Sequence, residues 1–101
     1  MFVIITYDID TESGGNRLRK VAKVCERYGY RVQKSVFESS IDPTQLIHLI
    51  NDLKKAIDPS ADSVRIYKCG KSMKGNIEII GCKKRVNHFS YGIGVIPGSV
   101  K

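Results

Sequence analysis

Three acidic residues stand just after the first apolar segment of the chain, where a strand would end. Asp8 closes the run that begins at Phe2, and Asp10 and Glu12 follow in a polar, glycine-containing segment. Hydrolysis of a phosphodiester needs a hard cation that offsets the phosphate charge and activates water, and oxygen ligands suit Mg²⁺ or Mn²⁺. Asp8 is therefore the candidate catalytic residue and metal ligand.

Acidic residues in such places also cap or terminate a strand, which is their commoner role. Both interpretations of Asp8 and Asp10 therefore stay open at this point. A single carboxylate is a thin metal site, so we expect two Asp8 side chains to converge near the twofold axis of a homodimer.

The basic residues are concentrated in two blocks. The chain has 101 residues, with 17 Lys+Arg against 10 Asp+Glu and a net charge of +7. Residues 16–35 and residues 65–85 each hold seven Lys/Arg and one acidic residue, a net charge of +6 in each block. This pattern indicates a surface for a polyanion, DNA or RNA, with salt-dependent attraction. A solvated helix face is the alternative.

Length and composition restrict the class of protein. At 101 residues and 42% apolar content, the chain predicts one globular domain, and it contains no apolar run of about 18 residues that would cross a membrane. Its three cysteines include no C-x-x-C pair, which argues against a disulfide framework and a zinc knuckle. We expect a reducing compartment and, from the absence of a leader, the cytoplasm. A chain this short favours a homo-oligomer.

The elements that must position these residues follow from periodicity and caps. Apolar and alternating segments predict strands over 2–7, 30–39, 63–68 and 76–80. Helical spacing predicts a basic amphipathic helix over 16–28, ended by Gly29. A second helix is indicated by Asp42 as N-cap, Pro43 at the first helical position and Gln45 three residues after the cap, and it stops before Pro59.

We interpret these elements as a βαββαβ unit. The expected α+β fold is ferredoxin-like, a four-stranded antiparallel sheet with both helices on one face, over residues 1–82. The other sheet face would be covered by a second protomer. Residues 83–101 form a basic and glycine-containing C-terminal segment, in which 91–96 is a candidate edge strand that pairs with the partner protomer.

A set of short motifs resembles a known family. The set comprises Tyr7-Asp8-Ile9 at the end of the first strand, Arg17 and Arg19 at the start of the basic helix, Tyr28-Gly29 at its end, Val32-Gln33, Ser35 and Phe37-Glu38 on the next strand, and Asp62-Ser63-Val64-Arg65-Ile66-Tyr67. In combination they resemble the CRISPR-associated endonuclease family Cas-two over roughly the first 80 residues.

The resemblance implies a ferredoxin-like homodimer that takes part in spacer acquisition, bridges two dimers of the Cas integrase and holds duplex DNA. It also implies a metal-dependent endonuclease acting on RNA or DNA. The site residues it carries over are Asp8 as catalytic residue and metal ligand, with Tyr7, Arg17, Arg19, Arg31 and Phe37 around it. Asp10 matches less closely.

Three functions are compared on these grounds: a metal-dependent endonuclease, a non-catalytic duplex-DNA scaffold, and a small-molecule regulatory module. The two basic blocks disfavour the third, and fold alone says nothing about activity. For Phe37, packing in the sheet is an alternative to a site role, because an aromatic ring buries a large area. Arg31, on the same side of its strand, needs a partner.

Overall fold

The computed structural model describes residues 1–69 and 77–82, in which seven elements are formed. The elements in chain order are β1 (Phe2–Asp8), α1 (Thr11–Tyr28), β2 (Tyr30–Gln33), β3 (Val36–Ser40), α2 (Pro43–Ala56), β4 (Ser63–Cys69) and β5 (Ile77–Gly81). The candidate edge strand at 91–96 and the basic cluster at 83–85 lie outside the described residues.

The strands form one antiparallel sheet in the order β2-β3-β1-β4-β5. The first six elements follow the order βαββαβ, and β3 lies between β1 and β2, as a split βαβ arrangement requires. The predicted ferredoxin-like α+β fold is therefore confirmed. The sheet has five strands instead of the four expected, because β5 extends it beyond β4.

The extra strand arises from the segment 30–39, predicted as one strand. It forms the hairpin β2-β3, which turns at Lys34 and Ser35 and has a register shift between Arg31 and Gln33. Neither turn residue is a glycine, proline or asparagine, so the usual sequence signal of a turn is absent. The alternation of apolar residues continues through the turn, which is why the break was missed.

Helix α1 begins at Thr11, five residues before the predicted start. Its N-cap is Asp10, whose side chain accepts a hydrogen bond from the backbone N–H of Glu12 at 3.1 Å, and this cap provides the start that the helical periodicity did not reveal. Gly29 ends the helix as predicted, with its N–H donating to the carbonyl of Cys25 at 2.9 Å. Its φ of −164° is extended backbone, so the glycine is needed for another reason: a Cβ there would overlap the carbonyl oxygen of Glu38 on β3.

Helix α2 confirms its predicted start. The backbone N–H of Gln45 donates to Asp42 Oδ1 at 2.7 Å, and the N–H of Asp42 donates to Gln45 Oε1 at 3.0 Å, with Pro43 as the first helical residue. This reciprocal pair is a capping box. It fixes the start of the helix whose Leu49 and Leu53 are fully buried.

Both helices pack on one face of the sheet. Ile5, Phe37 and Ile66 are register partners on β1, β3 and β4, and all three are fully buried in one cluster with residues of both helices. The helix residues in that cluster are Val21, Ala22, Val24, Cys25, Leu46, Leu49, Leu53 and Ala56. Alternation places the next residues of each strand on the opposite face.

That opposite face carries a row of apolar side chains across three strands. Ile4, Tyr67 and Ile77 are register partners on β1, β4 and β5, and Ile77 is 42% exposed. Phe2, on the same face of β1, is 39% exposed. We call this surface the open sheet face.

Within the described ranges, 1–69 and 77–82, no helix combines the length and apolarity needed to cross a membrane. Cys25, Cys69 and Cys82 are free thiols, the first buried and the other two half-buried.

Candidate nuclease site

The Asp8 carboxylate stands at the last position of β1, opposite Ser63 on β4. Tyr7 points into the core with the helices, so alternation places Asp8 on the open sheet face. Asp8 is half-buried. A half-buried carboxylate at a strand end keeps an approach to solvent while its backbone is held in the sheet, and such a group can bind a cation.

Asp10 has a different role from Asp8. Its side chain caps α1 through the N–H of Glu12, and its own backbone N–H donates to Asp62 Oδ1 at 2.9 Å. Of the two interpretations left open by the sequence, the structure supports capping for Asp10. A carboxylate used as a helix cap has one oxygen less to offer a metal ion.

Asp62 is the central acidic residue at this end of the molecule, and the sequence did not single it out as a site residue. It has no exposed surface. Its Oδ2 accepts from Arg17 Nε at 2.7 Å and from the backbone N–H of Asp58 at 2.8 Å, while Oδ1 accepts from the N–H of Asp10 and from Arg17 Nη2 at 3.3 Å. One buried carboxylate therefore joins the loop after β1, the start of α1 and the loop before β4.

The hydrogen bonds decide the ionisation state of Asp62. Burial alone would raise the pKa of this carboxyl, but the hydrogen bond from Arg17 and those from the N–H groups of Asp58 and Asp10 outweigh it, so the pKa lies below its ordinary value. Asp62 is thus an anion at neutral pH. The available sequence signal was an acidic residue directly before a buried strand, which alone does not distinguish an anchor from a site.

Arg17 and Arg19 start from the same helix but have different neighbours. Arg17 is directed at Asp62, with its side chain 20% exposed, and Nη2 also donates to the carbonyl of Asp10 at 3.4 Å. Arg19 is exposed and donates from Nη2 to Asn16 Oδ1 at 2.6 Å. Arg17 is therefore a structural link between α1 and β4, and Arg19 is presented to solvent.

Tyr7, Phe37 and Arg31 form a stack on the helix side of the sheet. The rings of Tyr7 and Phe37 have centroids 6.2 Å apart at an interplanar angle of 28°, and the Arg31 guanidinium lies 5.2 Å from the Phe37 centroid. Arg31 Nη1 also donates to the carbonyl of Lys34 at 3.2 Å. Phe37 is fully buried, so the packing interpretation of this residue is supported, and its ring is the partner that Arg31 was expected to need.

Two groups near this stack have pKa values that keep them protonated at neutral pH. Burial raises the pKa of Tyr7, and it raises the pKa of the Cys25 thiol to about 12. A protonated phenol is no proton acceptor and a protonated thiol is a poor nucleophile. The chemistry of a hydrolytic site on this chain therefore falls to Asp8 and to a cation.

The predicted site residues occupy three places rather than one. Asp8 lies on the open sheet face, Arg17 lies with Asp62 at the start of α1, and the aromatic stack lies on the helix side. Arg65, which the sequence did not single out for the site, shares the open sheet face with Asp8. It pairs with Thr6, one row away from the pairing of Asp8 with Ser63.

The donor set was compared with what Mg²⁺ requires. In residues 1–69 and 77–82, no group of three or more His, Cys, Asp or Glu side chains converges to hold a metal ion. Mg²⁺ keeps several waters and needs only one or two protein carboxylates. Asp8 fits that requirement as one carboxylate per chain, and a second copy would supply the other.

Comparison with known proteins identifies the relatives of this chain. Residues 1–77 match the family model described as "CRISPR associated protein Cas2". A CRISPR-associated endonuclease Cas2 of Halalkalibacterium halodurans is 51% identical over 89 residues, which cover 86% of this chain and 93% of the relative. A CRISPR-associated endoribonuclease Cas2 of Chlorobaculum tepidum is 45% identical over 86 residues, covering 83% and 90%.

A solved structure is similar over most of its length. The crystal structure of Streptococcus pyogenes Cas2 at pH 6.5 aligns with a TM-score of 0.65 and 44% identity, and the alignment covers 80% of this chain and all of that one. The sequence match and the structural match include the strand that ends at Asp8.

Proposed function

Because this chain belongs to the CRISPR associated protein Cas2 family, we propose that it is an endonuclease that hydrolyses phosphodiester bonds of RNA or DNA with Mg²⁺ or Mn²⁺ at Asp8. Its function is CRISPR-associated. The observation that carries the proposal is the position of Asp8, a half-buried carboxylate at the end of β1 on the open sheet face.

Each residue of the proposed site has a separate task. Asp8 would hold the cation, which when bound offsets phosphate charge and lowers the pKa of a water ligand. Arg65 lies one row away on the same face, where a guanidinium attracts a phosphate. Asp62 and Arg17 hold the loop that follows Asp8 in place through the N–H of Asp10. Net hydrolysis adds water across a P–O bond, and the departing oxygen takes a proton.

A homodimer is part of this proposal. The row of Ile4, Tyr67 and Ile77 leaves apolar surface on the open sheet face, and a second copy is the simplest cover for it. Packing through this face brings the two Asp8 residues to the same side of the interface. The two chains together would then offer two carboxylates, which one chain alone does not. We place the protein in the cytoplasm, where its nucleic acid substrates are.

The test is a cleavage assay on the purified full chain with single-stranded RNA and duplex DNA, with Mg²⁺ and with EDTA. We expect Mg²⁺-dependent cleavage that Asp8→Asn abolishes, since the amide keeps the size of the side chain and removes its charge. Asp10→Asn is the matched control, because Asn caps a helix as well as Asp. Cleavage by Asp8→Asn at the wild-type rate would overturn the assignment.

A second candidate function is a duplex-DNA scaffold that bridges dimers of the Cas integrase. It is favoured by the separation of the exposed basic residues of α1 from Asp8, which lies on the other side of the sheet. In a spacer-acquisition assay with the integrase, Asp8→Asn would then remain active although its cleavage is lost. Loss of acquisition with intact DNA binding would show that the chemistry itself is needed.

A further inference from the structure

A groove of about 340 Å³ lies between α1 and α2, and basic side chains line it. Its walls carry Lys20, Lys23, Arg27 and Lys55, and the other lining residues are Val24, Ala56 and one acidic residue, Asp52. We call this feature the interhelical groove. All four basic side chains are exposed, on the side of the sheet away from Asp8.

The positive charge of the interhelical groove is largely uncompensated. Among the described residues, Arg27 is the only one of its four cations that forms an ion pair, with Asp52 Oδ2 at 3.9 Å. The same Asp52 oxygen accepts a hydrogen bond from the hydroxyl of Tyr28 at 2.8 Å. Four cations against one engaged carboxylate leave a net charge of +3. Like charges held along a groove repel each other, and a polyanion relieves that repulsion.

The spacing of the cations fits a phosphate backbone. Lys20, Lys23 and Arg27 stand at positions i, i+3 and i+7 of α1, which form one stripe about 10 Å long at 1.5 Å per residue. Phosphates of one strand of a duplex recur at about 3.4 Å along its axis. The stripe therefore spans about three phosphate steps, and Lys55 faces it from α2.

The rigidity of the walls supports binding at this place. Both walls are helices whose inner residues, Val21, Cys25, Leu49 and Leu53, are fully buried in the common core. Cations on such elements are presented at fixed spacing, so less ordering is needed when a ligand binds. The apolar lining of Val24 and Ala56 provides no base-specific contact.

We propose that the interhelical groove binds the phosphate backbone of one strand of duplex DNA, without reading its sequence, as a contact surface separate from the Asp8 site. The proposal rests on the nucleic-acid function proposed above and assigns that function a second surface. A long duplex would thus be held on the helix side of the molecule while Asp8 remains accessible from the sheet side.

The experiment measures binding of the full chain to a fluorescein-labelled duplex of arbitrary sequence at several salt concentrations. Each lost phosphate contact should reduce the log–log salt slope by about 0.9. We expect Lys55→Ala to reduce it by about one such step and Lys20→Ala/Lys23→Ala by about two. Circular dichroism of each variant checks that the helices are retained.

Lys54→Ala is the matched control, because Lys54 is the exposed neighbour of Lys55 on the same helix but lines a different surface, beside Ile57 and Ile79. It makes the same change of charge and should leave the slope unchanged. Asp52→Asn removes the acidic residue of the groove and should tighten binding.

Three outcomes would overturn the inference. If Lys54→Ala and Lys55→Ala weaken binding equally, the effect is one of net charge and not of the groove. If the wild-type chain binds DNA and the groove variants bind as well as it does, the groove serves another partner, such as an acidic protein, while the proposed nuclease function stands. If the wild-type chain binds no nucleic acid at low salt, both this inference and the proposed function fail.

Discussion

Arg17 Nε donates to Asp62 Oδ2 at 2.7 Å, across 45 residues of sequence. This contact ties the second turn of α1 to the residue that precedes β4. It also changes the expected role of Arg17, since a guanidinium held by a buried carboxylate is less available to a phosphate than the exposed cations that follow it on α1.

Asp62→Asn should lower the free energy of unfolding by about 2–3 kcal/mol. The amide turns its NH₂ group toward donors that the carboxylate accepted from, and an unsatisfied buried donor costs about 1–3 kcal/mol. Urea unfolding measures the change. Asp42→Asn is the control, because an exposed N-cap tolerates Asn. A difference of less than about 0.5 kcal/mol between the two variants would contradict the anchoring role of Asp62.

The pH dependence of stability should report the same carboxylate. The pKa of Asp62 is lowered in the folded chain from its ordinary value of 3.8, so its contribution is fully present above that value and is lost as the pH falls below it toward the folded pKa. Urea midpoints should therefore fall more steeply below pH 4 in the wild-type chain than in Asp62→Asn. Parallel curves would assign the acid sensitivity to other groups.

Two glycines of the α1 region should respond oppositely to alanine. Gly29→Ala places a methyl group against the carbonyl of Glu38 and should cost about 1–3 kcal/mol, as overpacking does. Gly15→Ala, within α1, meets nothing within 4 Å and should stabilise the chain by about 0.5–1 kcal/mol through helix propensity. Thermal unfolding of both variants decides the matter; equal shifts would show that close packing at Gly29 is unimportant.

The aromatic stack predicts that Phe37 acts through packing. Phe37→Ala should destabilise the fold by about 3–5 kcal/mol, as expected for a fully buried ring, whereas Arg31→Ala should cost about 0.5–1 kcal/mol, the value of an exposed cation–π contact. Chemical unfolding gives both numbers. Cleavage by Phe37→Ala, measured where the variant is folded, should stay near the wild-type rate, and a specific loss of activity there would instead place Phe37 in the site.

Dimerisation through the open sheet face can be tested with one charge. Ile4→Glu introduces a carboxylate at the centre of the apolar row and should convert the dimer to a monomer, since a buried unpaired charge is expensive. Ile47→Glu is the matched control, because Ile47 is 58% exposed on α2. Sedimentation velocity at micromolar concentration distinguishes the two states. A dimer that survives Ile4→Glu would move the interface elsewhere.

Local sequence determined the parts of this fold that depend on a few neighbouring residues. The capping box of Asp42 and Gln45 and the apolar stripe of α2 are encoded within one or two helical turns, so periodicity and cap chemistry were sufficient to predict them. The same holds for β1, whose apolar run ends at Asp8. The position of the candidate catalytic carboxylate at a strand end was therefore readable without a structure.

Tertiary structure decided everything that depends on a distant partner. The partner of Arg17 lies 45 residues away, the need for Gly29 comes from the backbone of β3, and the break between β2 and β3 is set by register rather than by a turn residue. Neighbours in the motif Tyr7-Asp8 were also separated onto opposite faces of the sheet. The physical reason is that strand alternation and pairing place side chains by register, and register is fixed by contacts between segments that no local pattern contains.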